Sequence, residues 1–415
     1  MEQVLQSPEL LTRILEMDFA SYIRTLDFGG NKDPTLHTLF AGLQFPRLKK
    51  LELGNYPIDL RGREFVGIQD GWNSTVSHYL GPALEDLTVL RWDSICTGGF
   101  FEDVTGKCPR LRRIYLSGIG TQLQPNEFLS FLKSTRHLEA IELNLGFGLL
   151  ENALITGDVL LQLSKMPKLN YLELNNPVKQ PKFFQSIRIQ NNFPFQNLTE
   201  FELNATSAVI SAAARVLPNV VKLGLCLQDG NGSCFKDLSD MPRLCKLKIL
   251  GTRETTFARH ELLALRALNR LEKLTIKTSE GNGLHDMLAL QFTNSDFDAM
   301  VSGMPELRKL EFEVIWENRS VSILSSLSEH CPKLEELDLD GSYDLQALND
   351  TSTVMFPNLK SLRIDDCVVH YIPVRLTPLQ LGRLIDNHAP ILEDLAFMVD
   401  FDDNPVLLAW HDIRG

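Results

Sequence analysis

The chain has 415 residues, of which 44% are hydrophobic, 23% charged and 8% aromatic, a composition that excludes a disordered or collagen-like polymer. Its 41 basic and 53 acidic side chains leave a net charge of −12, which repels a phosphate backbone and argues against nucleic acid as a partner. No run of 18 apolar residues exists to cross a membrane, and seven cysteines without a Cys-x-x-Cys pair suit free thiols in a reducing compartment, cytoplasmic or nuclear.

Met1-Glu2-Gln3-Val4-Leu5-Gln6 has neither the basic start nor the apolar run of a secretory signal. Pro8 then stands near the start of a helical stretch that sets Leu11, Ile14 and Leu15 on one side. Residues 1–22 are expected to cover the first strand as an N-terminal capping helix. From Ile23 onward one pattern recurs: often Pro, then x-L-x-x-L-x-L. Clear copies are Pro46-Arg47-Leu48-Lys49-Lys50-Leu51-Glu52-Leu53, Pro109-Arg110-Leu111-Arg112-Arg113-Ile114-Tyr115-Leu116 and Pro332-Lys333-Leu334-Glu335-Glu336-Leu337-Asp338-Leu339. With conservative swaps the lead apolar residue falls at 23, 48, 84, 111, 138, 169, 198, 220, 244, 271, 307, 334, 359 and 392. The intervals run from 22 to 36 residues, a period that signals a stacked repeat.

Within each octet the residues at +3 and +5 from the lead alternate inward on a short strand, while +2, +4 and +6 point out. The chain then returns on the other side, in several repeats as a helix. Pro125 to Leu132 places Phe128, Phe131 and Leu132 together; Thr206 is expected to cap a helix carrying Val209, Ala213 and Val216. Thr377 and Pro378 open a helix that buries Leu381, Leu384 and Ile385. Two long repeats insert residues 54–81, with Trp72 and Tyr79, and 279–303, with Gly281-Asn282-Gly283; such insertions read as rim loops or as neutral spacers. After Phe397 the tail, residues 400–415, mixes aspartates with Leu407, Leu408 and Trp410 and reads as a C-terminal cap.

These octets resemble the leucine-rich-repeat family over residues 23–399, about fourteen repeats. The resemblance implies an α/β solenoid, a horseshoe with a parallel sheet on its concave face and helices on its convex face. The family's Asn or Cys at +8 is met only by Asn31 and Cys367; Tyr56, Trp92, Ile119, Gly146 and Pro177 also hold that place, so less regular turns are expected. Cys108-Pro109 and Cys331-Pro332, with Cys367, are similar to the cysteine-containing subclass of intracellular F-box proteins. Ser7 to Leu15 resembles the opening of an F-box, the helical module that docks on a Skp-family adaptor, but only 22 residues precede the first repeat. Adaptor binding is therefore expected only if an F-box lies upstream.

No phosphate loop, zinc-protease helix or nucleophile elbow is present. Cys331 sits three residues before its lead and Cys367 eight after its own, too far apart along the strand for a shared ion. No cofactor, metal or catalytic residue is expected.

The outward positions map a partner surface. Glu142 with Asn144, Glu173 with Asn175, and Glu200, Glu202 with Asn204 form acidic triplets on successive repeats. The sign then reverses through Lys222, Lys246, Lys248, Lys273 and Lys277, followed by Lys309, and turns acidic again at Glu311 and Glu313. Like charges on adjacent strands oppose pairing. The bands are either a solvated face of an acidic protein or a surface complementary to a partner. Tyr115 and Tyr171 are its aromatic anchors. The expected function is non-enzymatic protein recognition, as the substrate-recognition part of an F-box/leucine-rich-repeat ubiquitin-ligase receptor. The alternative is a free-standing scaffold or inhibitor of the ribonuclease-inhibitor kind.

Overall fold

The prolines of the repeat set its turns. Leu48, Leu111, Val220, Leu244, Leu307, Leu334, Leu359 and Leu392 each donate a backbone N–H to the carbonyl three residues earlier. Proline stands at the second position of each of these turns, where its fixed φ is already correct. The computed structural model describes residues 19–28, 40, 43–53, 77–90, 99–117, 124–144, 154–230, 232–252, 254–279, 287–317, 319–343, 345–350, 353–367, 376–397 and 404–414. Most of the expected N-terminal cap, residues 54–76 of the first insertion with Trp72, and Asp400, Asp402 and Asp403 lie outside these residues, whereas Tyr79 is described and buried.

The chain forms two units, Met1–Pro177 with Lys182–Leu198, and Val178–Pro181 with Thr199–Gly415. In unit one, β1 (Thr25–Asp27), β2 (Lys50–Leu53), β3 (Asp86–Val89), β4 (Arg113–Ser117), β5 (Ala140–Asn144) and β6 (Tyr171–Val178) pair in parallel and in chain order. Helices Phe100–Lys107, Pro125–Ser134, Gly157–Ser164 and Lys182–Gln190 run between or after them. Unit two holds β7 (Glu200–Ala205), β8 (Lys222–Leu227), β9 (Lys246–Gly251), β10 (Thr256–Ala258), β11 (Lys273–Thr278), β12 (Met287–Leu290), β13 (Lys309–Phe312), β14 (Val314–Ile315), β15 (Glu336–Tyr343), β16 (Ser361–Cys367) and β17 (Asp394–Phe397). Of these, β7, β8, β9, β11, β13, β15, β16 and β17 make one parallel sheet in that order.

A strand begins two residues after every one of the fourteen lead positions. The +3 and +5 residues stack into two buried rows, which in unit two run Phe201-Leu223-Leu247-Leu274-Leu310-Leu337 and Leu203-Leu225-Ile249-Ile276-Phe312-Leu339. Helices of successive repeats bury their own apolar stripes, such as Phe128, Phe131 and Leu132, on that side. This is the α/β leucine-rich-repeat fold: one repeat cannot bury its apolar face alone, so each strand is stabilised by its neighbours.

Helix ends follow local sequence only in part. Thr377 and Gln380 form the reciprocal capping box that opens helix Pro378–His388, and Leu381, Leu384 and Ile385 are buried as expected. Thr206 precedes helix Ser207–Ala214, but its hydroxyl makes no capping bond. Asp229, from the following repeat, instead accepts the Ser207 backbone N–H and hydroxyl at 3.0 Å. Glu261 likewise accepts the N–H groups of Phe235 at 2.8 Å and Lys236 at 3.2 Å, one repeat earlier. A carboxylate at a helix N-terminus meets orphan donors and a favourable dipole together.

The insertion at 279–303 is not simply a rim loop. Its described part contains β12 and helix Asn294–Val301, and β12 lies between β10 and β14 in a second parallel sheet. Met287 and Ala289 alternate inward there, while Leu288 and Leu290 stay exposed. The tail forms helix Pro405–Arg414, which buries Val406 and Trp410.

Cys108 and Cys331 each end a helix in the buried slot just before the proline. The same slot holds Met241, Met304 and Phe356 elsewhere, so its requirement is an apolar side chain rather than a thiol. Burial pushes the thiols up, Cys108 to about 11 and Cys331 to about 12, and raises Cys234 as well. Alkylation of the folded protein at pH 8 followed by mass mapping is expected to leave these three unmodified, because the thiolate is the reactive form. Rapid native labelling of Cys331 would contradict its placement.

Candidate functional site

The sheet's open face carries the +2, +4 and +6 side chains, and strand register decides which of them meet. In unit one Tyr115, Glu142 and Glu173 fall in one row across β4, β5 and β6. Glu142 and Glu173 are thus direct neighbours, as the spacing predicted. Glu173 is tethered: the Tyr171 hydroxyl donates to it at 2.5 Å and the Asn175 amide donates to its other oxygen. Tyr171 is therefore held by its own strand, and Asn144 stands one step along at the end of β5.

Unit two brings the basic residues together. Lys222, Lys246, Lys273 and Lys309 form a single row across β8, β9, β11 and β13. Glu200 precedes the row on β7 and Glu336 follows it on β15. The ends are neutralised, Lys222 by Glu200 at 2.5 Å and Lys309 by Glu336 at 2.8 Å. Lys246 and Lys273, in the middle, make no ion pair among the described residues.

A second row, two residues along, reads Glu202-Gly224-Lys248-Thr275-Glu311. The Glu202 side chain leans over Gly224, where a Cβ would stand 3.0 Å from it. Lys248 makes no ion pair among the described residues. Over these two rows opens a cavity of about 350 Å³, floored by β7 to β13. Six lysines and three glutamates line it, and its one aromatic lining residue, Phe201, is itself buried.

The rim of this cavity is electrostatically settled. Burial alone would push the Glu311 carboxyl up, but the Lys277 bond at 2.6 Å and the Lys277 and Lys309 charges hold it below the usual carboxylate range. That bond in turn raises Lys277. Glu313, half-buried, is raised by burial although it accepts the Thr278 N–H at 3.1 Å. Asn204 sits at the far end of β7, opposite Cys226.

Among the sequence candidates, the structure thus gathers Glu200, Glu202, Lys222, Lys246, Lys248, Lys273, Lys277 and Glu311 around one hollow. Tyr115, Glu142, Tyr171 and Glu173 make a separate cluster on unit one. Gly224 and Thr275 line the same hollow and are not among those candidates. A glycine in a +4 slot was a visible signal, since every neighbouring repeat has a side chain there. Among the described residues, no group of three His, Cys, Asp or Glu side chains could hold a metal ion, and no helix is long and apolar enough to cross a membrane.

No protein-family model matches the chain, and no curated protein matches it. Solved structures overlap it loosely. An internalin from Listeria monocytogenes is 18% identical with a TM-score of 0.46, covering 98% of this chain and 94% of its own. TLR13, from its complex with ssRNA13, is 15% identical with a TM-score of 0.47; the match covers 90% of this chain but 44% of TLR13. A structure of the yeast Rad7 and Elc1 complex is 16% identical with a TM-score of 0.40, and 78% of each chain is covered.

Proposed function

We propose that this chain is a non-catalytic recognition module that captures a protein partner on the open face of its sheet. The observation that carries this reading is that Lys246, Lys248 and Lys273 make no ion pair among the described residues and line a cavity of about 350 Å³. Like charges in register oppose folding, so the pairing of Lys246 with Lys273 on adjacent strands favours an opposite charge supplied from outside. In this reading residues 23–399 form the recognition surface, framed by caps at 1–22 and 400–415.

The finer assignment is the substrate-recognition part of a ubiquitin-ligase receptor of the F-box/leucine-rich-repeat kind. It is supported by the resemblance of Cys108-Pro109 and Cys331-Pro332 to the cysteine-containing subclass, in a slot that other repeats fill with Met or Phe.

Capture from a cell lysate tests both levels. Wild type is compared with a Lys246→Glu, Lys248→Glu, Lys273→Glu variant, whose melting temperature should shift little because the altered side chains are not buried. A defined set of proteins is expected on wild type, lost from the variant and weakened as salt rises. Identical captured sets at low and high salt would show that the band is only a solvated face. A captured protein should also gain ubiquitin and turn over faster as the chain's level rises; an unaltered lifetime speaks for a scaffold instead.

A further inference from the structure

We propose that the row Lys222-Lys246-Lys273-Lys309 seats an extended acidic segment of the partner, crossing the strands with carboxylates on alternate residues. This rests on the recognition role above and specifies its ligand. Neighbouring strands lie about 4.8 Å apart, so the four lysine stems span about 14 Å. An extended chain rises about 3.3 Å per residue with alternate side chains on one face, so residues i, i+2 and i+4 span about 13 Å. Three carboxylates therefore match the row's length.

The charge is graded in the way such a ligand needs. The outer lysines hold internal carboxylates, Lys222 with Glu200 and Lys309 with Glu336. The inner pair, Lys246 and Lys273, and Lys248 one pleat along, make no ion pair among the described residues. The attraction is greatest at the centre of the row and is fenced by Glu200 and Glu336 at its ends, which fixes where an acidic segment starts and stops. The hollow of about 350 Å³ over β7 to β13 lets side chains enter instead of resting on a flat sheet. The hollow offers no aromatic platform for stacked bases, which disfavours a nucleic-acid strand on the same lysines.

The test is selection of random 12-residue peptides displayed on phage against the full chain at low salt. Enriched peptides are synthesised with amide analogues, Glu to Gln and Asp to Asn, and titrated by fluorescence anisotropy. The proteins compared are wild type, the K246E/K248E/K273E variant, and a K246Q/K248Q/K273Q variant in case charge reversal impairs folding. Enrichment of acidic residues at alternate positions is expected. Affinity should fall at least tenfold in either lysine variant and in the amide analogues. Lysine-dependent peptides without acidic residues would overturn the acidic ligand while leaving recognition by this face intact. Peptides that bind wild type and variants alike, or none at all, would remove the recognition role of the face itself. Equal displacement by inorganic phosphate, whatever the acidic spacing, would reduce the row to a small-anion site and overturn the proposal.

Discussion

Leu310→Asp is expected to abolish cooperative folding of unit two. Leu310 is fully buried on β13 and stands between Leu274 and Leu337 in the stacked leucine row. Removing a buried leucine costs about 2–5 kcal/mol in transfer and cavity terms. A carboxylate left in its place lacks a partner and adds several more kcal/mol. The sum approaches or exceeds the about 5–15 kcal/mol that holds a typical domain folded. Repeats are stabilised by their neighbours, so the loss should spread beyond one strand. Leu174→Asp should do the same in unit one, where Leu174 on β6 pairs with Leu143. The control is Lys248→Asp, exposed on the opposite face of β9, which should stay within about 0.5 kcal/mol of wild type. Circular dichroism melts decide the matter. A folded Leu310→Asp protein beside a collapsed Lys248→Asp protein would mean that the register is slipped by one residue.

The second large effect concerns a contact between repeats. Asp296 is buried at the start of helix Asn294–Val301, where it completes a capping box with Thr293. It also receives two bonds from the Arg259 guanidinium of the preceding repeat, at 2.7 and 2.9 Å. Asp296→Asn keeps the shape but removes the charge, and Asp296→Ala removes the cap as well. Losses of about 1–2 and about 2–4 kcal/mol are expected, from the charge-assisted bonds and the cap together. The Arg259 bond holds the Asp296 carboxyl below the usual carboxylate range, against the opposing pull of burial. A carboxylate with a lowered folded pKa contributes stability that is fully present above its unfolded value, near about 4, and is lost as pH falls through the folded value. Urea unfolding at pH 7 and pH 3 should therefore show the gap between wild type and Asp296→Asn shrinking in acid. A gap of equal size at both pH values would show that the charge contributes nothing.

The repeat was legible because its determinants are local. Leu111, Ile114 and Leu116 alternate on one strand, and Pro109 sets the turn before it, all within eight consecutive residues. The same holds for Thr377, Pro378 and Gln380, whose capping box closes within four residues. The site was legible in composition but not in pairing. The sequence showed that Lys222, Lys246 and Lys273 share a slot, yet not that Lys222 is already neutralised by Glu200 while Lys246 and Lys273 make no ion pair among the described residues.

What the sequence by itself determined is thus the strand register, the buried leucine rows and the banding of charge, since each follows from periodicity along one segment. What only the tertiary structure decided is which partners those bands meet. Glu200 and Lys222 are 22 residues apart, Lys277 and Glu311 34, and Lys309 and Glu336 27. The shared slot sets strands side by side whatever the length of the return, but which flanking charge each long side chain bonds is decided by the packed structure. Asp229 capping the helix at Ser207 and Glu261 capping the one at Phe235 belong to the same class, because the donor and the carboxylate lie in different repeats. β10, β12 and β14 do as well: strands of two to four residues gain their ladder bonds only when the stacking of the larger sheet has aligned them.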